Sequence, residues 1–173
     1  MEFYRDKKKS MNMILICAGL LVVFIAIFLY SIGLFDGQVG PKLAAVTGIF
    51  SIILAIIILK KLFTLRDTSP LVIVSLEGII SKTTAVSKAA GLILWKDISD
   101  VHLEKVGADT LITLTVDNPE HYLPLIKKKL SSMVTNGLVT EDGNIPISLT
   151  ASELDTDVQE LYNVITDSRK KVG

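Results

Sequence analysis

The sequence predicts an α+β membrane protein: a two-helix transmembrane hairpin, then an antiparallel β domain ending in a C-terminal amphipathic helix. Three features carry that expectation. There are two long charge-free runs near the N-terminus, period-two alternation of apolar residues after residue 70, and an apolar stripe at helical spacing near the C-terminus.

The chain has 173 residues, half of them apolar, with 18 basic and 18 acidic side chains. Such balance with so much apolar material means that the apolar residues are concentrated. Met11 to Phe35 holds no charged side chain, and neither does Leu43 to Leu59. A helix rising about 1.5 Å per residue needs about 17 to 25 residues to cross a hydrocarbon core of about 30 Å, so each run is long enough for a span. A secretory signal peptide is the competing reading of the first run, because Arg5 and Lys7 to Lys9 resemble a basic leader. The run is too long for that, no small-residue cleavage site follows it, and a second apolar run comes directly after.

Orientation follows from the basic residues. Four precede the first span, Lys42 alone lies in the loop Phe35 to Lys42, and Lys60, Lys61 and Arg66 follow the second. Short flanks rich in Lys and Arg stay cytoplasmic, which puts both termini inside and the loop outside, where Gly37, Gly40 and Pro41 suit a reversal. The chain is thus divided into a basic cytoplasmic N-terminus (1–10), a hairpin (11–63, spans about 11–34 and 43–59) and a cytoplasmic domain (68–173). That domain is expected to fold from about Ser69 onward on its own strands. The spans carry no Asp, Glu, Lys, Arg or His, which argues against a transporter or pump. Gly19, Ala26 and Gly33 on the first, and Ala44, Gly48, Ser51 and Ala55 on the second, form small-residue stripes that let helices approach closely. An intramolecular hairpin is the expected use, and a homo-oligomer seam is the alternative. Cys17 stands alone and so implies no disulfide, metal or nucleophile.

In the domain, Leu71 to Leu76 and Ile79 to Thr84 flank Glu77-Gly78 as a β-hairpin, and Gly91 to Trp95 is a further short strand. Val101 and Leu103 alternate with His102 and Glu104, as Ile112, Leu114 and Val116 do with Thr113 and Thr115. About five strands in one antiparallel meander are expected, the connections being too short for crossovers. Asn118-Pro119 then starts a helix, with a restart at Pro124, an apolar stripe of Leu125, Ile126, Leu130 and Met133, and a stop at Asn136-Gly137. Asp142-Gly143 marks a turn, and Ile145 to Leu149 is an edge strand because it contains Pro146. The last helix is expected to begin with a capping box, Thr150 and Glu153, and to bury Leu154, Val158, Leu161, Val164 and Ile165.

A bent sheet closed by a C-terminal amphipathic helix is the architecture of pleckstrin-homology-like (PH-like) domains. Two N-terminal spans followed by LVIVSLEGII, GLILWKDISDV, VDNPEHY and a late PISL also resemble an uncharacterised family of short bacterial inner-membrane proteins. The resemblance implies a bacterial plasma-membrane location and a PH-like cytoplasmic domain, and it implies no catalytic residue.

No catalytic, cofactor-binding or metal-ligating residue is assigned, and no cofactor is expected. His102-Leu103-Glu104 lacks the cysteine pair of a zinc deaminase, and glycine-rich phosphate loops and nucleophile elbows are missing. Candidate interaction residues are Trp95, Asp97, Lys127, Lys128 and Lys129. Each also has a structural reading: Trp95 as a core or sheet-rim aromatic, Asp97 as a turn or cap residue, the lysines as a solvated helix face. Residues 68–173 carry ten basic and fourteen acidic side chains, a net charge of about −4, which disfavours nucleic acid and anionic phospholipid headgroups alike; local membrane contact through Lys127 to Lys129 is the lesser reading beside a solvated helix face. The expected function is a non-enzymatic membrane-tethered module that binds an unknown protein or peptide. The alternative is an immunity protein against a membrane-active bacteriocin or toxin, an architecture that some self-protection proteins share.

Overall fold

A computed structural model describes residues 1–35 and 39–172. The chain forms two compact units, Lys7–Thr68 and a second made of Met1–Asp6 with Ser69–Gly173.

The first unit consists of helices α1 (Lys7–Ser31) and α2 (Pro41–Leu65), each 25 residues long. Both are long and apolar enough to cross a membrane. They begin earlier than the charge-free runs, since Lys7 to Lys9 form the first turn of α1 and Pro41 and Lys42 that of α2. Proline suits that first turn because its missing N–H would have no helical partner there. The helices are antiparallel neighbours: Gly40 N–H donates to Ser31 O, Phe28 meets Gly48, and Phe24 stacks on Phe50 at 5.5 Å. A Cβ on Gly48 would lie 3.3 Å from the Phe28 ring, so Gly48 is used in the close approach of the two helices, whereas a Cβ on Gly19 would meet nothing within 4 Å. The expected external loop falls partly on 36–38, and Gly37 with it, outside the described residues.

The second unit has seven strands among the described residues, in two antiparallel sheets and not one meander. The first sheet runs in sequence order: β1 (Glu2–Phe3), β2 (Val72–Val74), β3 (Gly78–Ser81) and β4 (Leu92–Leu94). The second is β5 (Ile98–Val106), β6 (Asp109–Val116) and β7 (Ile145–Thr150), again in order. A 3-10 turn, Trp95–Asp97, separates them. The Glu77-Gly78 hairpin forms as expected, with Val74 opposite Ile79. Gly78 is required there because a Cβ would sit 2.0 Å from the Ile93 carbonyl oxygen of β4.

β1 lies in the segment expected to be only a basic tail. Glu2 pairs with Ile73 and Phe3 with Val72, and Phe3 is buried. The unit is therefore discontinuous, and a fragment starting at Ser69 lacks one strand. Residues 151–157 hold β1 from its other side. Arg5 bridges to Leu154, Asp6 N–H donates to Glu153 O, and the Asp155 carboxylate accepts from Tyr4 N–H at 3.1 Å.

That use displaces the last helix. α6 spans Val158–Val172, and its first turn is capped by Asp157, whose carboxylate accepts from Glu160 N–H at 2.8 Å. Thr150 and Glu153 have capping-box spacing but belong to β7 and to the segment gripping β1. Leu154 is buried all the same, from a loop.

One apolar core joins both sheets: Ile79 and Ile93 from the first, Ile112, Leu114, Val116, Ile145, Ile147 and Leu149 from the second, and Leu161 and Ile165 from α6. Alternation holds along β6 and fails along β5. A bulge at Ser99 puts Ile98 and Val101 on the same inner side, while Leu103 is exposed. β7, with Pro146, is an edge strand as expected.

Helices α3 (Ala85–Ala90), α4 (Pro119–Lys129) and α5 (Ser132–Thr135) complete the unit. α3 has no counterpart among the sequence expectations. Its capping box uses Thr84 and Ser87, and the Thr84 hydroxyl also donates to Ser148 O of β7 at 2.8 Å. Asn118 caps α4, accepting from His121 N–H, and Pro124 sits inside a continuous helix without forcing a restart. The buried face of α4 is Tyr122 and Ile126, whereas Leu125 and Met133 are exposed. Gly137, at φ +78°, ends this segment.

Because Leu161 is fully buried beneath both sheets, Leu161→Asp in the full-length protein should cost several kcal/mol. Emptying a leucine site costs about 2 to 5, and the stranded carboxylate adds to it. Thermal unfolding in detergent reads this; an unchanged melting temperature would contradict the sealing role of α6.

Candidate functional site

Trp95 and Asp97 lie in the turn between the two sheets, and both point inward. The Trp95 indole N–H donates to Ser75 O at 3.0 Å, and its ring is part of the core. Asp97 is 9% exposed, and its carboxylate accepts the Tyr122 hydroxyl proton at 2.8 Å. The same hydroxyl accepts from Leu94 N–H at 3.1 Å. Tyr122 thereby fastens α4 to β4 and to the turn, and all three polar groups are satisfied by one another. Neither Trp95 nor Asp97 offers a surface to a partner.

Burial is the main cause that pushes the Tyr122 hydroxyl up to about 12. The Leu94 N–H acts in the opposite direction, and the bond to Asp97 and its negative charge raise the value further.

The histidine neighbourhood does not converge into a catalytic cluster. His102 and Glu104 stand on the exposed face of β5. His102 Nδ1 lies 2.9 Å from the Asp100 carboxylate, and Glu104 accepts from the Thr113 hydroxyl at 3.1 Å. Asp97 faces the core instead. His121 is exposed, with its ring edge against Tyr122 at 4.8 Å. Among the described residues no three His, Cys, Asp or Glu side chains are grouped to hold a metal ion.

Among the described residues, two surfaces lie close to the candidate residues. One is the outer edge of β5. Val106 and Asp109 flank the Gly107-Ala108 turn, and in a two-residue hairpin that flanking pair exchanges hydrogen bonds. Alternate residues 102 and 104 therefore bond inward to β6, and 101, 103 and 105 present their backbone groups outward. Arg169 of α6 donates to Ser99 O and Tyr162 to Val101 O, so α6 covers the start of this edge. Among the described residues no strand pairs with it from Leu103 onward.

The other surface is where α3 meets α4. A groove of about 270 Å³ is lined by Ala85, Lys88, Ala89, Lys129 and Leu130. Lys129 Nζ donates to Ala89 O at 3.1 Å; Lys127 and Lys128 are exposed. Of the sequence candidates, the three lysines therefore remain accessible. Lys88 was missed because its neighbourhood depends on α3, and the Tyr122 staple because its partners lie about 25 residues away along the chain.

The fold and these surfaces define an α+β domain interrupted by an apolar helical hairpin. A scan against protein-family models and searches of curated proteins and of solved structures each found no match.

Replacing Tyr122 with Phe strands the Leu94 N–H and a buried carboxylate, which should cost about 1 to 3 kcal/mol. The pH dependence has a definite sign. A hydroxyl raised from 10.0 to about 12 contributes stability fully below pH 10 and loses it between pH 10 and 12. Wild type should weaken across that window, and Tyr122→Phe should show a flatter alkaline limb in pH-dependent melting.

Proposed function

We propose that this protein is a non-enzymatic interaction module tethered in a bacterial inner membrane, with both termini cytoplasmic and a PH-like domain that binds a protein or peptide. The observation that carries the tether is the pairing of β1 with β2. The strand before the first apolar helix and the strand after the second are hydrogen-bonded neighbours, so both ends of the hairpin emerge on one side of a bilayer. The basic flanks Lys7 to Lys9 and Lys60, Lys61 and Arg66 make that side cytoplasmic.

Several facts support the remaining parts. Leu15, Ile16, Val22, Ile49, Ile52, Leu59 and Phe63 are exposed on α1 and α2, an apolar surface suited to lipid and costly in water. Four strands, three strands and a closing helix support the PH-like reading. Three insertions depart from it: the hairpin between β1 and β2, α3 between β3 and β4, and α4 and α5 between β6 and β7. The polar groups of Trp95, Asp97 and Tyr122 are occupied in holding elements of the domain together, which favours binding over chemistry at these positions. The free stretch of β5 suits an extended partner segment, which would add as a strand through backbone hydrogen bonds.

A periplasmically active reporter fused after Gly173 should stay silent in cells; strong activity would overturn the topology. For the binding edge, Leu103→Pro removes an outward N–H and leaves the β6 ladder in place. A photo-crosslinker at Lys105 in the full-length protein should trap a partner in membranes. Leu103→Pro should abolish the adduct at near wild-type melting temperature, and an undiminished adduct would count against strand addition.

A further inference from the structure

The residues of β5 constrain what kind of strand its outer edge accepts. The outward backbone groups belong to 101, 103 and 105, so two antiparallel copies of this edge must set odd-numbered residues opposite odd-numbered ones, about a two-fold axis that passes through a residue. An axis through Val101 centres the ladder under Tyr162 and Arg169 of α6. An axis through His102 sets Asp100 against Glu104, an axis through Glu104 sets that carboxylate against itself, and an axis through Lys105 opposes two ammonium groups. Like charges directly opposite one another destabilise a strand pair. An axis through Leu103 brings no like charges together: Leu103 meets its own copy, Asp100 meets Val106, Val101 meets Lys105, and His102 stands opposite Glu104 twice, once on each side of the axis.

The side chains are free to use that register. His102 engages Asp100 through Nδ1, and Glu104 engages Thr113 through Oε2, so His102 Nε2 and Glu104 Oε1 carry no hydrogen bond among the described residues. A protonated imidazole donates from both nitrogens, here to Asp100 of its own strand and to Glu104 of the second copy. Leu103 and Val106 are 38% and 50% exposed, so pairing also covers apolar surface. The two Leu103 residues exchange both of their backbone hydrogen bonds. At either end Tyr162 holds the Val101 carbonyl at 3.4 Å, long for a hydroxyl donor, and the Lys105 N–H of the second copy can take its place. We infer that the occupant of the β5 edge is a second copy of this chain, paired antiparallel about Leu103. The inference rests on the strand-addition reading of that edge and names its partner. So small an interface is weak between freely diffusing molecules, and anchoring in one membrane raises the effective concentration of the copies.

The test uses full-length protein carrying Cys17→Ala in liposomes. In this register positions 102 and 104 of the two copies form a close, non-hydrogen-bonded pair. Chains with His102→Cys mixed with chains with Glu104→Cys should therefore form a mixed disulfide faster than either forms one with itself. Subunit exchange followed by fluorescence transfer reads the affinity. His102→Glu alone and Glu104→Lys alone should each weaken it on the order of tenfold, the two together should restore it, and His102→Lys should strengthen it. These side chains are exposed, and unchanged melting shows an intact fold. Monomers throughout, or dimers that form no mixed disulfide and ignore the charge changes, as a pairing of the helices would, overturn the inference. A photo-crosslinker at Lys105 separates the two levels. An adduct with the mass of two copies supports self-pairing, an adduct with a different protein overturns self-pairing and leaves strand addition standing, and no adduct overturns both.

Discussion

A strand of two residues, β1, sets how the chain is threaded through the folded domain. Glu2 and Phe3 contribute little hydrogen bonding, but their position fixes the topology, because the chain leaves the sheet at β1 and rejoins it at β2 only after the whole helical hairpin. So short an edge strand is marginal alone. It is held instead by Phe3 in the core and by the 151–157 segment, where Glu153 O, Leu154 and the Asp155 carboxylate take up the backbone of residues 4–6. That grip explains why α6 starts at Val158, about two turns later than the capping-box spacing implies.

Legibility in the sequence tracked how local the deciding interaction is. The two apolar helices, the Glu77-Gly78 hairpin, β6 and the buried face of α6 depend on composition and periodicity within a short window, and they were readable. β1 was not, since two residues carry no period and their partner is some seventy positions away. Val101 and Leu103 share one face of β5, opposite Leu114 and Ile112, but α6 reaches this strand only as far as Val101 through Tyr162, and Leu103 lies beyond that cover, exposed. Thr150 and Glu153 imitated a helix start because the motif is short enough to recur in a strand end.

The candidate site shows the same division. Trp95 and Asp97 stood out by residue type; Trp95 lies in the core, and the Asp97 carboxylate, expected to bond local backbone, instead holds the Tyr122 hydroxyl of α4. The lysine run was visible, but Lys88, which lines the groove together with Lys129, comes from α3, an element that no local pattern announced.

The interruption between β1 and β2 also has a consequence for biosynthesis. During translation β1 emerges before α1, and β2 does not exist until both apolar helices have been made. The first sheet therefore cannot complete itself at the ribosome ahead of the hairpin. An open chain would have to close a long loop to pair β1 with β2, whereas an already formed antiparallel hairpin returns its two outer ends to each other and removes much of that entropic cost. Connectivity thus makes sheet closure wait for the synthesis of both helices, and helix pairing lowers its entropic cost. A chain whose hairpin fails to form would keep Phe3 and the β2 edge exposed, a mark by which quality control could tell unassembled protein from assembled.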